Sequence, residues 1–116
     1  MNNYETGRRG ELAAQKFLEN MGYEIITLNY RCKMGEIDII AQKDNYIVFV
    51  EVKTRRNFKY GLPYESVSTQ KQKKIRRVAT YYLQANRIFN KDCRFDVVSI
   101  KKNSDQYVCE IIQDAF

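Results

Sequence analysis

The chain has no histidine, five glycines and three cysteines in 116 residues, and each scarcity closes off a class of chemistry. Without histidine there is no Ser-His or Cys-His nucleophile, no histidine-bound zinc protease or nuclease, and no zinc deaminase centre. Cys32, Cys93 and Cys109 are odd in number and far apart, with no Cys-x-x-Cys, which argues against a disulfide framework and a zinc ribbon. The few glycines form neither Gly-x-x-x-x-Gly-Lys-Ser/Thr nor Gly-x-Gly-x-x-Gly, so the nucleotide-binding loops are excluded as well. No apolar run approaches the length of a membrane span, and Met1-Asn2-Asn3-Tyr4-Glu5 does not open a signal peptide. The expectation is a cytoplasmic protein with no membrane partner. Catalysis, if present, is left to carboxylates, lysine and a metal ion.

Hydrophobic residues make up 44% of the chain and charged residues 29%, the balance of an ordinary globular protein with one core, so residues 1–116 are read as a single domain. A formal charge of +6 favours a polyanionic partner.

The most informative stretch is Gly35-Glu36-Ile37-Asp38-Ile39-Ile40-Ala41 followed by Ile47-Val48-Phe49-Val50-Glu51-Val52-Lys53. Two β-branched runs flank the polar turn Gln42-Lys43-Asp44-Asn45 and predict a hairpin. With Asp44 and Asn45 at its centre, Ile40 faces Phe49, Asp38 faces Glu51 and Glu36 faces Lys53. Alternation then puts Glu36, Asp38, Ile40, Ile47, Phe49, Glu51 and Lys53 on one face, and Ile37, Ile39, Ala41, Val48, Val50 and Val52 on the other. Both faces are apolar near the turn, so both are expected to be covered. Two carboxylates about 5 Å apart at an effective dielectric of 20 repel by roughly 3 kcal/mol. The fold must therefore neutralise one, supply a cation, or bind a hard divalent ion through oxygen ligands. The plainer alternative is a hairpin in which Lys53 pairs with Glu36 and Asp38 is solvated.

Before the hairpin, Gly10, Ala13, Ala14, Phe17, Leu18 and Met21 recur at helical spacing, predicting a helix over about 6–21 with Gly22 ending it. Glu11 borders that stripe, either as a first-turn acid favoured by the helix dipole or as a carboxylate reaching a metal. Residues 23–30 read as a strand. Beyond Lys53, Thr54 to Pro63 is basic and aromatic; Arg55, Arg56 and Lys59 interleaved with Phe58 and Tyr60 suit phosphate contact and base stacking, and a solvated loop is the alternative. A second helix starts near Thr69, with Thr69-Gln70-Lys71-Gln72 read as a capping box, and buries Ile75, Val78, Ala79 and Tyr82. Lys71, Lys73, Lys74, Arg76 and Arg77 crowd its first turns against the helix dipole, a placement that would attract phosphate. Two strands, Cys93–Lys101 and Gln106–Ile112, close the chain around a turn at residues 102–105; Asp96 in the first is read as a capping or edge residue before a site acid.

Gly-Glu-x-Asp followed by Glu-x-Lys resembles the signature of the PD-(D/E)xK nuclease superfamily, which includes type II restriction enzymes and archaeal Holliday-junction resolvases. More closely, the chain resembles the YraN-type family of small bacterial endonuclease-like proteins. The resemblance is carried by Gly7-x-x-Gly10-Glu11-x-x-Ala14, Asn29-Tyr30-Arg31, Gly35 to Ala41, Val48 to Lys53 with Arg55, and Lys71 with Lys74, and it spans about residues 6–112. It implies an α/β, restriction-endonuclease-like core, a mixed sheet of about five strands with helices on both faces. It implies further that Asp38, Glu51 and Glu11 ligate magnesium or manganese, that Lys53 positions or activates the attacking water, and that Glu36 stands behind the ligands or holds Lys53. Arg55, Arg56, Lys59, Lys71, Lys74 and Arg77 would bind the nucleic acid. The expected activity is metal-dependent endonucleolytic hydrolysis of DNA, with branched or flapped DNA as candidate substrates. The alternative is a catalytically silent nucleic-acid-binding or adaptor protein on the same fold. A homodimer would suit symmetric cutting of two strands, and a protein partner that supplies specificity would leave the isolated chain inert.

Overall fold

The computed structural model describes residues 3–55 and 67–116. The chain runs α1 (Asn3–Asn20), β1 (Glu24–Cys32), β2 (Gly35–Lys43), β3 (Tyr46–Arg55), α2 (Thr69–Ala85), β4 (Asp92–Asn103) and β5 (Gln106–Ile112). The five strands form one mixed sheet in sequential order, β1-β2-β3-β4-β5. Only β3 and β4 are parallel, and α2 lies in the connection that a parallel pair requires.

The sheet is covered on both faces. On one, Ile75, Val78, Ala79 and Tyr82 of α2 pack with Ile37, Ile40, Ile47, Phe49, Phe95 and Val97. On the other, Ala14 and Leu18 of α1 pack with Ile39, Ala41, Val48, Val50, Val98 and Ile100. This two-sided burial is why the central strands read as near-continuous apolar runs and not as alternating ones. Phe49 sits at the middle of the α2 face, edge-on to Tyr82 at 6.0 Å and stacked on Phe95 at 5.5 Å. Burying such a side chain contributes about 2–3 kcal/mol.

The helix ends follow local chemistry. Gly22 at φ +90° closes α1: its N–H donates to the Glu19 carbonyl and the Tyr23 N–H reaches back to the Leu18 carbonyl, each at 3.0 Å, the paired bonds of a left-handed C-terminal cap. At the start of α2 the cap lies one residue earlier than the sequence suggests. Ser68, not Thr69, is the N-cap, and its Oγ accepts from the Lys71 N–H at 3.1 Å. Ser68 has extended backbone angles, whereas Thr69 already belongs to the helix. The Gln72 side chain, expected to close a capping box, donates instead to the Val67 carbonyl.

The hairpin register agrees with the expected one from Lys43↔Tyr46 to Ile39↔Val50, with Asp44 at φ +54° in the turn. Beyond Ile39 the pairing of β2 with β3 stops. On its other side β2 pairs with β1 through a register shift between Ile25 and Thr27, and Asn29, which falls opposite Asp38, has φ +51°. The strand therefore bends at Asp38. Ile37 packs on the α2 face, although strict alternation would leave it with Ile39 on the α1 face. The Asp38–Glu51 and Glu36–Lys53 ladder pairs expected from the sequence are absent, because the two strands have already separated there.

Candidate functional site

The separation of β2 from β3 creates the site. Where the ladder ends, the Val52 N–H has no strand partner, and the Asp38 carboxylate accepts it through Oδ2 at 2.8 Å. A side chain takes the role of a missing ladder carbonyl, so Asp38 is held against β3 without facing Glu51 in register. Glu51, on the α2 face of β3 two residues beyond Phe49, is buried, with 7% of its side chain exposed. An anion at that depth demands a partner, and two lysines supply one. Lys71 of α2 reaches Glu51 Oε1 at 2.7 Å, and Lys53 lies 3.6 Å from the same oxygen.

The electrostatics follow from this crowding. Burial, and then the charge of Glu51, push Asp38 up from its ordinary 3.8 to about 6, with Glu11 adding slightly, while the Val52 N–H and Lys71 act the other way. Burial and the neighbouring Lys71 charge lower the Lys53 ammonium, with Glu51 opposing them. Burial lowers Lys71 too, but its hydrogen bond and attraction to Glu51 outweigh that, and its pKa rises.

The sequence-derived residues divide into three groups. Asp38, Glu51 and Lys53 come together at the end of the sheet, and Glu11 on α1 is close enough for its charge to be felt at Asp38. Gly10 makes that approach possible, since a Cβ there would come within 2.9 Å of Thr54 Oγ1 on β3. Glu36 does not join them. It pairs with Arg31 at 3.0 Å, both side chains largely exposed, because its register partner is on β1 and not on β3. Lys74 lines a cavity of about 360 Å³ with Lys71, Ser68, Gln70, Ile75, Gly35 and Glu36, and Arg77 lies further along α2 beside Met34 and Tyr81. Arg55 ends β3, and Arg56 and Lys59, with Phe58 and Tyr60, lie outside the described residues.

Asp96 is fully buried on the opposite face. It accepts from Tyr23 Oη, from Arg94 Nε and Nη2, and from the Asp114 N–H, a saturated network that ties β4 to the residue before β1 and to the segment after β5. Since β4 lies between β3 and β5, Asp96 is neither a cap nor an edge residue as the sequence suggested. Two features of the site are not apparent in the sequence. Lys71, read there as a phosphate contact, is the nearest cation to Glu51. Ser99, beside Lys53 in the β3–β4 register, is fully buried with a hydroxyl that has no hydrogen-bond partner among the described residues. A small polar residue inside an apolar strand was the one available signal for it.

Among the described residues, no three Asp, Glu or Cys side chains stand close enough together to form a ready metal cluster. Asp38 and Glu51 are the carboxylates that could hold a hard cation. Two carboxylates destabilise each other, and the Lys71 ammonium stands where a cation would relieve Glu51. Phosphodiester hydrolysis, carboxylate-assisted proton transfer and anion binding by the two lysines are all within reach of this arrangement.

Residues 10–100 match the family described as "Uncharacterised protein family UPF0102". Similar proteins carrying that family description include one from Caldicellulosiruptor saccharolyticus, 49% identical over the whole of both chains, and one from Caldicellulosiruptor bescii, 50% identical over the whole of both. A third, from Clostridium novyi, is 44% identical over 98% of this chain and 97% of its own.

Proposed function

We propose that this chain, which belongs to the uncharacterised protein family UPF0102, is a metal-dependent endonuclease that hydrolyses phosphodiester bonds in DNA. The observation that carries the reading is an acid pair, half-buried Asp38 and buried Glu51, held where β2 leaves β3 and faced by two lysines. A fold has little reason to confine two carboxylates so, unless a cation completes the arrangement. The mixed sheet with a helix on each face and an acid at each parting strand also supports a restriction-endonuclease-like core.

Asp38 and Glu51, with Glu11 reaching over from α1, would hold magnesium or manganese. The ion, when bound, supplies Lewis-acid polarisation of a phosphoryl oxygen and a nucleophilic water near neutral pH. Asp38 is ready to ligate only when ionised, and burial beside Glu51 delays that until about pH 6. Lys53, half-buried and with its pKa lowered, would orient the attacking water or neutralise charge building on the phosphate. Lys71, Lys74 and Arg77, all on α2, present cations for the DNA backbone beside the cavity and along the helix. Hydrolysis would consume one water and break one P–O bond, leaving a phosphomonoester and a free hydroxyl.

The test is cleavage of labelled duplex, single-stranded, flap and four-way-junction DNA by wild type and Asp38→Asn, with magnesium, manganese or EDTA. Metal-dependent cleavage by wild type alone supports the reading and ranks the substrates. Binding without cleavage under every condition refutes it for the isolated chain and favours the adaptor reading.

A further inference from the structure

Lys71 satisfies a catalytic-type carboxylate, yet it comes from a helix and not from the sheet. Its ammonium bonds Glu51 Oε1 at 2.7 Å, closer than Lys53 of the Glu-x-Lys motif at 3.6 Å. Its side chain remains 44% exposed, against 25% for Lys53 and 7% for Glu51. The same lysine lines the 360 Å³ cavity with Lys74, Ser68 and Gln70. It thus stands between the buried Glu51 carboxylate and an open cavity whose charged lining is Lys71, Lys74 and the acid Glu36.

We propose that Lys71 is an exchangeable counter-ion that occupies Glu51 in the free protein and transfers to a DNA phosphate in the adjoining cavity when substrate binds. The inference rests on the endonuclease reading and deepens it. In the free state the ammonium neutralises Glu51 and competes with a divalent ion for Oε1. A phosphate beside Lys71 and Lys74 offers the ammonium a second anion, and a lysine's flexible stem and point charge allow that move where a forked arginine would not. Glu51 is then released to the divalent ion at the moment substrate arrives. DNA and metal binding become positively cooperative, and by linkage each strengthens the other by the same factor. Lys53 cannot serve in this way: it is more deeply buried, and its own strand fixes it beside Glu51.

The experiment is calorimetric titration of calcium and of manganese into the free protein for wild type, Lys71→Met and Lys73→Met, repeated for calcium with a short DNA duplex bound. Lys73, two positions along α2 and exposed on another side of the helix, controls for removal of one positive charge. Removing a partly exposed ion-pair competitor raises the free protein's divalent affinity about three- to tenfold in Lys71→Met, and less than about twofold in Lys73→Met. With DNA bound, wild type gains affinity by the larger factor and Lys71→Met by the smaller. Equal or weaker divalent binding by Lys71→Met, with wild type binding normally, overturns the exchange and leaves the endonuclease reading standing. Absence of divalent binding in all three proteins overturns both. The unchanged helix content of each variant is checked by circular dichroism alongside.

Discussion

Replacing Asp38 by Asn separates what the site costs the fold from what it does. The carboxyl ionises at about 6 in the folded chain against an ordinary 3.8, chiefly because it is buried and then because Glu51 is near. A raised carboxylate pKa means that the folded state binds the proton more tightly than the unfolded one. The associated stability is fully present below about pH 4 and is lost as pH rises through about 6. A shift of about two units corresponds to about 3 kcal/mol, and about 2 kcal/mol after allowance for solvent screening at a partly open site. Asparagine keeps an oxygen for the Val52 N–H and never ionises, so it escapes that penalty. In EDTA, Asp38→Asn should match wild type in stability near pH 4 and exceed it by about 2 kcal/mol at pH 8, a rise in Tm of about 8 °C for a chain of this size. Urea denaturation followed by circular dichroism across that pH range measures the difference. A variant that is less stable than wild type at pH 8, or a difference that does not change with pH, would refute the electrostatic account. The same variant should lose DNA cleavage, so gain of stability and loss of activity are expected together.

Four further outcomes follow from the same geometry. Lys53→Ala should abolish cleavage while leaving DNA affinity within about threefold, measured by fluorescence anisotropy, since a site lysine acts on charge formed during the reaction and the cations of α2 supply binding. Cleavage by wild type at subsaturating metal should fall as pH drops below about 6, as Asp38 takes up its proton and the metal is held less tightly; a pH–rate profile flat down to pH 4.5 under those conditions would contradict it. Gly10→Ala should destabilise the fold by about 1 kcal/mol in thermal melts, because the new methyl meets Thr54 Oγ1 at 2.9 Å and the overpacking outweighs the gain in helix propensity. Asp96→Ala should cost about 3–5 kcal/mol by leaving Arg94 buried without its partner; a loss below about 1 kcal/mol would show that the network is dispensable.

The elements of the fold were legible because each is written in residues close together in the chain. The stripe Ile75, Val78, Ala79, Tyr82 repeats at helical spacing and is the buried face of α2. Asp44-Asn45 between two β-branched runs specifies the hairpin and its register near the turn, and Gly22 marks the end of α1. Glu51 and Lys53, two residues apart on one strand, had to share a face. The membership of the family was carried by those same local motifs, and the comparisons bear it out.

Tertiary structure decided which charges meet. Glu36 would face Lys53 in an ideal ladder, yet the shift near Ile25–Thr27 and the bend at Asn29 and Asp38 turn β2 towards β1, where Arg31 takes it. The same bend moves Ile37 across the sheet and hands the Val52 N–H to Asp38. The pairing of Lys71 with Glu51 depends on how α2 docks on the sheet, and no spacing in the sequence encodes that distance. Periodicity is a property of neighbouring residues and survives in any context, whereas sheet twist, a strand's departure from its partner and the seating of a helix arise only when the whole core packs. The sequence by itself determined the elements, the face of Glu51 and the kind of chemistry available; the packed core determined which acid, which lysine and which open cavity make the site.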